Sequence, residues 1–194
     1  MKHILMIFFL LFTLWGSAQE TAKKHPYFSL IIECDYHLNL NIDECGNPMS
    51  CGGFITGGVQ MNQYIFLGGG VGVFYYTLYD WWVDQSEVYF KDIYPFAGDV
   101  YGNLQVRFLK DYKLSPVFDY KCGLAVSNDF NYGFMNYPSL GLSIMVNPSN
   151  ELLFKWGYFN VDWFRPAKTG YSLKYGFLSF SVAWKWNNAR INKR

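Results

Sequence analysis

Between residues 95 and 108 the chain reads P-F-A-G-D-V-Y-G-N-L-Q-V-R-F, and its two parities separate. Phe96, Val100, Leu104, Val106 and Phe108 occupy one parity, while Asp99, Tyr101, Asn103, Gln105 and Arg107 occupy the other. Successive strand side chains point to opposite faces, so the segment predicts a strand with one apolar and one polar surface. At about 14 residues it exceeds an ordinary globular strand and suits a tilted crossing of a membrane.

Seven further runs show the same period. In 27–40, Phe28, Leu30, Ile32, Cys34, Tyr36 and Leu38 alternate with Ser29, Glu33, Asp35 and His37. In 53–62, Ile55, Val59 and Met61 oppose Thr56, Gln60 and Asn62. In 64–79, Leu67, Val71, Val73 and Tyr75 oppose Gly68, Gly70 and Gly72. The run 116–127 sets Phe118, Tyr120, Cys122, Leu124 and Val126 against Asp119, Lys121, Gly123 and Ala125. The run 139–147 sets Leu140, Leu142, Ile144 and Val146 against Ser139, Gly141, Ser143 and Asn147. The run 152–164 sorts poorly, because Phe154, Trp156, Tyr158, Asn160 and Asp162 share a parity. The last, 172–186, places Leu178, Phe180, Val182, Trp184 and Trp186 opposite Ser179, Ser181, Ala183 and Lys185.

The connections alternate in character. Asn62-Gln63, 109–115 and 147–151, the last carrying the strong reversal signal Asn-Pro-Ser-Asn, are short or turn-like, whereas 41–52, 80–92, 128–138 and 165–171 are mostly longer. Short turns on one side and longer loops on the other, with both termini on the turn side, are the layout of a membrane barrel. The expected fold is therefore all-β: one eight-stranded antiparallel up-and-down transmembrane β-barrel. A soluble barrel with an apolar inside produces the same alternation. Three features favour the membrane form. The polar parity is rich in Gly and Ser, which suits a narrow interior better than a solvent face. Aromatics such as Tyr27, Phe28, Tyr75, Tyr76, Trp81, Trp82, Tyr94, Phe108, Trp163 and Trp184 collect near strand ends, as in interfacial girdles. The strands are also long enough to cross.

The start of the chain adds a compartment. Met1-Lys2-His3 is a short basic lead, 4–15 is almost wholly apolar, and Gly16 and Ala18 stand where a signal peptidase reads. Residues 1–18 are expected to be a cleaved signal peptide and 19–194 a single barrel domain. No Cys follows the cleavage point before Cys34, which argues against lipid anchoring. Without Lys2 the acidic and basic residues are equal in number, which argues against a nucleic-acid partner. Aromatic residues make up 21% of the chain, a β-favouring composition.

The strand pattern, the signal segment and the ending L-S-F-S-V-A-W-K-W resemble the small eight-stranded outer-membrane barrels of the OmpA-transmembrane-domain and OmpX type, in particular their porin-like, barrel-only members. The resemblance covers the whole mature chain, 19–194. It implies the outer membrane of a Gram-negative-type bacterium, with membrane lipid, lipopolysaccharide and the barrel assembly machinery as partners. Trp186, preceded by Trp184, Val182 and Phe180, would be the C-terminal assembly signal. The departure from the pattern is a polar tail, 187–194, beyond that residue.

The candidate chemistry is mostly structural. Cys45 and Cys51 flank a Gly46-Asn47-Pro48 turn in the first outer loop, and an exported chain would bridge them as a loop disulfide. Asp43 and Glu44 are poor companions for a zinc-thiolate site, so no metal is expected there. Cys34 and Cys122 fall on the apolar parity of strands on opposite sides of the barrel, and are expected to be free, lipid-facing thiols. The polar parity gathers Glu33, Asp35, Asp99, Arg107, Asp119 and Lys121 with His37, Asn103 and Gln105. Buried ions must be paired, so these predict an interior polar network that plugs the barrel, with Arg107 as its hub. The alternatives are a small-solute or ion channel gated by those pairs, or a lipid A-modifying barrel enzyme using His37 with Asp35 and Ser50 or Ser127. No catalytic motif supports the enzyme, and neither a cofactor nor a reaction is expected. The aromatic segments 80–92 and 128–137 suit a surface or envelope protein partner. The role expected overall is structural or surface-interacting.

Overall fold

The computed structural model describes residues 26–39, 49–76, 78–84, 87–93, 96–109, 113–127, 132–147, 149–164 and 173–188. The proposed signal segment 1–18 lies outside them. Ten strands form: β1 Tyr27–Asn39, β2 Met49–Gln60, β3 Ile65–Tyr76, β4 Leu78–Asp84, β5 Glu87–Ile93, β6 Phe96–Arg107, β7 Leu114–Ser127, β8 Tyr132–Asn147, β9 Asn150–Phe164 and β10 Leu173–Asn187. Eight of them close into an antiparallel barrel in the order β1-β10-β9-β8-β7-β6-β3-β2, while β4 and β5 pair only with each other. Each barrel strand lies beside its neighbours in the chain, and β1 meets β10 to close the ring. This is the up-and-down barrel expected from the alternation.

The two faces sort as a membrane protein requires. Outward positions hold Ile32, Ile55, Val71, Val100, Leu124, Leu140, Trp156 and Val182, while inward positions hold Glu33, Asp99, Asp119, Lys121 and a run of serines. A water-soluble barrel would invert this. Exposed Phe28, Tyr75, Phe108, Tyr132 and Trp184 stand toward the strand ends. The poorly sorted strand, β9, resolves with Phe154, Trp156 and Tyr158 outward and Lys155 inward.

The turns close as their residues dictate. Asn62 Oδ1 accepts from the backbone N–H of Tyr64 and Ile65, both at 2.8 Å, folding the β2–β3 reversal over its own side chain. Asn147 Oδ1 does the same for Ser149 N–H at 2.9 Å between β8 and β9. On the opposite rim three boundaries differ from expectation. β2 begins at Met49, so Cys51 belongs to a strand and not to a loop. β8 begins at Tyr132, which moves Met135 and Tyr137 from an expected loop into the buried interior. Segment 80–92 is mostly strand as well. In the barrel wall Ile65 opposes Val106 and Tyr75 opposes Phe96, and in the hairpin Leu78 opposes Ile93 and Asp84 opposes Glu87. Every pair keeps one offset, so the β4–β5 hairpin has the same register as the β3–β6 pair of the wall.

Candidate functional site: the barrel interior

The interior is stratified. On the loop side of the barrel an aromatic layer of Phe54, Phe74, Tyr101, Tyr137, Phe159 and Phe177 fills the cross-section. Their rings meet mostly edge-to-face, as between Tyr137 and Phe159 with centroids 5.6 Å apart. On the turn side a smaller apolar layer holds Ile31, Phe66, Val117, Leu153 and Ala183. Small inward residues make the room. A Cβ on Gly68 would stand 2.7 Å from the Phe66 ring, and one on Gly70 would stand 2.6 Å from the Tyr101 hydroxyl.

An ionic layer lies between the two. Lys121 Nζ donates to Glu33 Oε1 at 2.7 Å, and Lys155 Nζ donates to Glu33 Oε2 at 2.6 Å and to Asp119 Oδ2 at 2.5 Å. Asn103 Nδ2 donates to the other Asp119 oxygen. All four charged side chains are at most 1% exposed. Two carboxylates meet two ammonium groups, so the layer is neutral as a unit. Lys121 also stands over the Phe54 and Tyr137 rings, 4.8 and 4.5 Å from their centroids, tying the ions to the aromatic layer above.

A second polar layer closes the turn end. Lys185 Nζ donates to Gln60 Oε1 and Gln105 Oε1, both at 2.7 Å, and sits 4.7 Å from the Phe66 ring centroid. Arg107 Nη1 pairs with Glu151 Oε1 at 3.2 Å, and Glu151 also accepts from Asn187 and Ser143. A vestibule open at this end is lined by Tyr27, Gln60, Gln105, Arg107, Glu151 and Lys185.

Glu33, Asp119 and Lys121 therefore lie together at mid-barrel, and Asp35 and Asp99 face the interior nearby. Arg107 does not join them. It stands at the turn end with Glu151, so the hub is Lys155, with Glu33 bridging two lysines. The sequence pattern missed Lys155 because β9 carries polar residues on both parities. Its register partners, Gly141 and Ser181, were the available signal, since both are small members of the polar parity on the flanking strands. Glu151 was hidden in an expected turn. Lys185 was placed on the polar row but not in the network.

Trp186 is the last outward residue of β10, between Leu30 and Asn150 of its neighbours. Cys34 and Cys122 are free thiols on β1 and β7, on opposite sides of the ring. Cys51 lies on the outer face of β2 with no bridge to another described residue, and its expected partner Cys45 lies outside the described residues. His37 Nδ1 bonds Ser179 Oγ at 2.6 Å, not Ser50 or Ser127, and its ring stacks on Phe159 with centroids 4.5 Å apart. The pair is fully buried and faces inward, and no carboxylate bonds His37 Nε2 among the described residues. Among the described residues no acid orients this pair, and its burial separates it from the lipid face.

A closed eight-stranded ring with an apolar outer face and an ion-paired interior defines a small transmembrane β-barrel of the outer-membrane kind. The chain is similar in fold to Neisserial surface protein A, with a TM-score of 0.57 and 12% identity over 84% of this chain and 99% of that one. Lower scores relate it to the outer membrane protein OprG of Pseudomonas aeruginosa (TM-score 0.48, 9% identity, 84% and 97% covered) and to the outer membrane enzyme PagL (0.46, 10%, 80% and 98%). At such identities the likeness is one of fold. No protein-family model and no curated protein matches the sequence.

Proposed function

We propose that the chain is an outer-membrane protein of a Gram-negative-type bacterium, exported by a signal peptide spanning residues 1–18, whose barrel is a plugged scaffold with a structural or surface-interacting role. The observation that carries this reading is the neutral layer of Glu33, Lys121, Lys155 and Asp119, sealed between two apolar layers. An ion crossing the barrel would have to break those contacts inside a low-dielectric wall, at a cost of several kcal/mol per charge. The outer apolar face supports lipid and lipopolysaccharide as its surroundings, and the β4–β5 arm supports a surface or envelope protein partner. Planar-bilayer recording of the purified barrel tests the plug: the expected outcome is a flat baseline, and steady unitary current steps would establish the channel reading instead.

Two finer elements belong to the same reading. Trp186, with Trp184, Val182 and Phe180 at alternate outward positions, acts as the C-terminal signal read by the barrel assembly machinery. Trp186→Ala should then lower the fraction of chain reaching the heat-modifiable folded form in cells, while refolding in detergent is unchanged. Cys45 and Cys51 form a bridge after export, which tethers the first loop to the head of β2. Non-reducing peptide mapping of protein taken from membranes should recover the linked pair.

A further inference from the structure

The inner wall where β10, β1 and β2 meet holds four polar side chains whose hydrogen-bonding atoms are left over. Asp35 has Ser181 as its register partner on β10, and His37, one inward position further on, has Ser179 on β10 and Ser50 on β2. Asp35, His37, Ser50 and Ser181 are each at most 4% exposed. Both Asp35 oxygens, His37 Nε2, Ser50 Oγ and Ser181 Oγ have no hydrogen-bond donor or acceptor matched to them among the described residues, and the Glu33 carboxylate beside Asp35 could bond it only through a shared proton. Elsewhere the inner serines are bonded: Ser29, Ser139, Ser143 and Ser179 all have partners. Five such atoms therefore share this one patch of three adjacent strands, while the others on Asp99, Asn103, Gln105 and Asp162 are spread along β6 and β9 without an orphaned hydroxyl beside them. Buried hydroxyls could each turn toward a close neighbour, and orphans crowded together mark a place where a shared guest completes the bonding.

Charge points the same way. The ionic layer below is neutral by itself and uses both Glu33 oxygens. Among the described residues the interior holds five carboxylates, Glu33, Asp35, Asp99, Asp119 and Glu151, against the four cations Arg107, Lys121, Lys155 and Lys185. One positive charge restores balance, and of the two carboxylates without an ion pair, Asp35 and Asp99, only Asp35 has orphaned hydroxyls beside it. A proton on Asp35 would supply that charge but would leave His37 Nε2 and both serine hydroxyls unbonded. A divalent transition ion calls for more ligands than are present, since no group of three His, Cys, Asp or Glu residues converges among the described residues. One carboxylate with hydroxyl oxygens is hard-donor chemistry matched to a single positive charge.

We propose that this patch is a binding site for one small monovalent cation of the sodium class, held by the Asp35 carboxylate and the Ser50 and Ser181 hydroxyls, with His37 Nε2 on its rim. The inference rests on the closed interior proposed above. Its failure would leave bilayer recordings silent, whereas failure of the closed interior would appear there as current. The test uses the mature full chain folded in detergent, with urea unfolding followed in sodium chloride and in N-methylglucamine chloride at matched ionic strength. Sodium should raise the unfolding midpoint saturably and the organic cation should not. Asp35→Asn, or Ser50→Ala with Ser181→Ala where the first variant folds poorly, should raise the half-saturating sodium concentration about tenfold or more. Crystals soaked in thallium(I) should show an anomalous peak within bonding distance of Asp35. Equal midpoints in the two salts, a sodium effect that survives both variants, or a peak elsewhere would overturn the site.

Discussion

The mid-barrel ionic layer and the turn-end layer use similar residues under different conditions. At mid-barrel each lysine meets carboxylate, both Glu33 oxygens are occupied, and the side chains are sealed between apolar layers. At the turn end Lys185 is held by neutral amide oxygens, and the Arg107–Glu151 pair is partly open to the vestibule, with 10% and 5% of those side chains exposed. The same charge therefore bears a different energetic weight at the two levels. Where water can replace a lost partner, deletion is tolerated. Where it cannot, deletion strands the partner in a low dielectric.

Four substitutions and one control would break or sharpen that contrast. The largest effect is expected for Lys155→Met, which leaves Asp119 and half of Glu33 without their cation and should cost about 3–5 kcal/mol. Urea unfolding in lipid vesicles, followed by tryptophan fluorescence, measures it, and a loss below about 1 kcal/mol would mean that the layer is not held by ion pairing. Gly141→Val tests the packing beside Lys155, because a Cβ there meets the Phe154 carbonyl and the Lys155 side chain, and it should cost roughly 1–3 kcal/mol, similar to Lys185→Met. Gly102→Val, on the open outer face where the nearest atom is 3.9 Å away, is its control and should unfold like the parent. Lys185→Met loses two charge-assisted hydrogen bonds to amides and should cost about 1.5–3 kcal/mol. Arg107→Gln should be mildest, at about 0–1 kcal/mol, since its pair reaches solvent. Reversal of the order of Lys155→Met and Arg107→Gln would show that depth in the barrel does not set the energy scale.

Much of the architecture was legible because a barrel wall has period two and each register step alternates lipid with interior. The eight barrel strands, the short Asn-built turns and the outward sorting of Val100, Leu124 and Val182 follow from that alternation alone. What the pattern could not supply was pairing across the ring. Lys155 and Glu33 are far apart in sequence, and only closure of the barrel makes them neighbours. Choosing Arg107 as hub followed from its chemistry, since a guanidinium can bind two carboxylates. Its position one residue from a turn decided otherwise. Segment 128–138 read as loop because Gly133, Asn136 and Pro138 are poor strand formers, yet tertiary pairing with β7 carries the strand through them.

The single offset shared by the β4–β5 hairpin and the β3–β6 pair makes the connection between β4 and β5 a ruler for the barrel wall. Pairing that starts at Asp84 and Glu87 and zips downward arrives at Gly72 opposite Asp99 with no further adjustment. A slip of one residue at the tip would travel the same path. It would carry Asp99, Tyr101 and Asn103 to the lipid side and bring Val100 and Leu104 inward. An insertion of one residue at positions 85–86 should therefore be felt not at the cell surface but in assembly, as a chain that inserts slowly or is degraded before it closes.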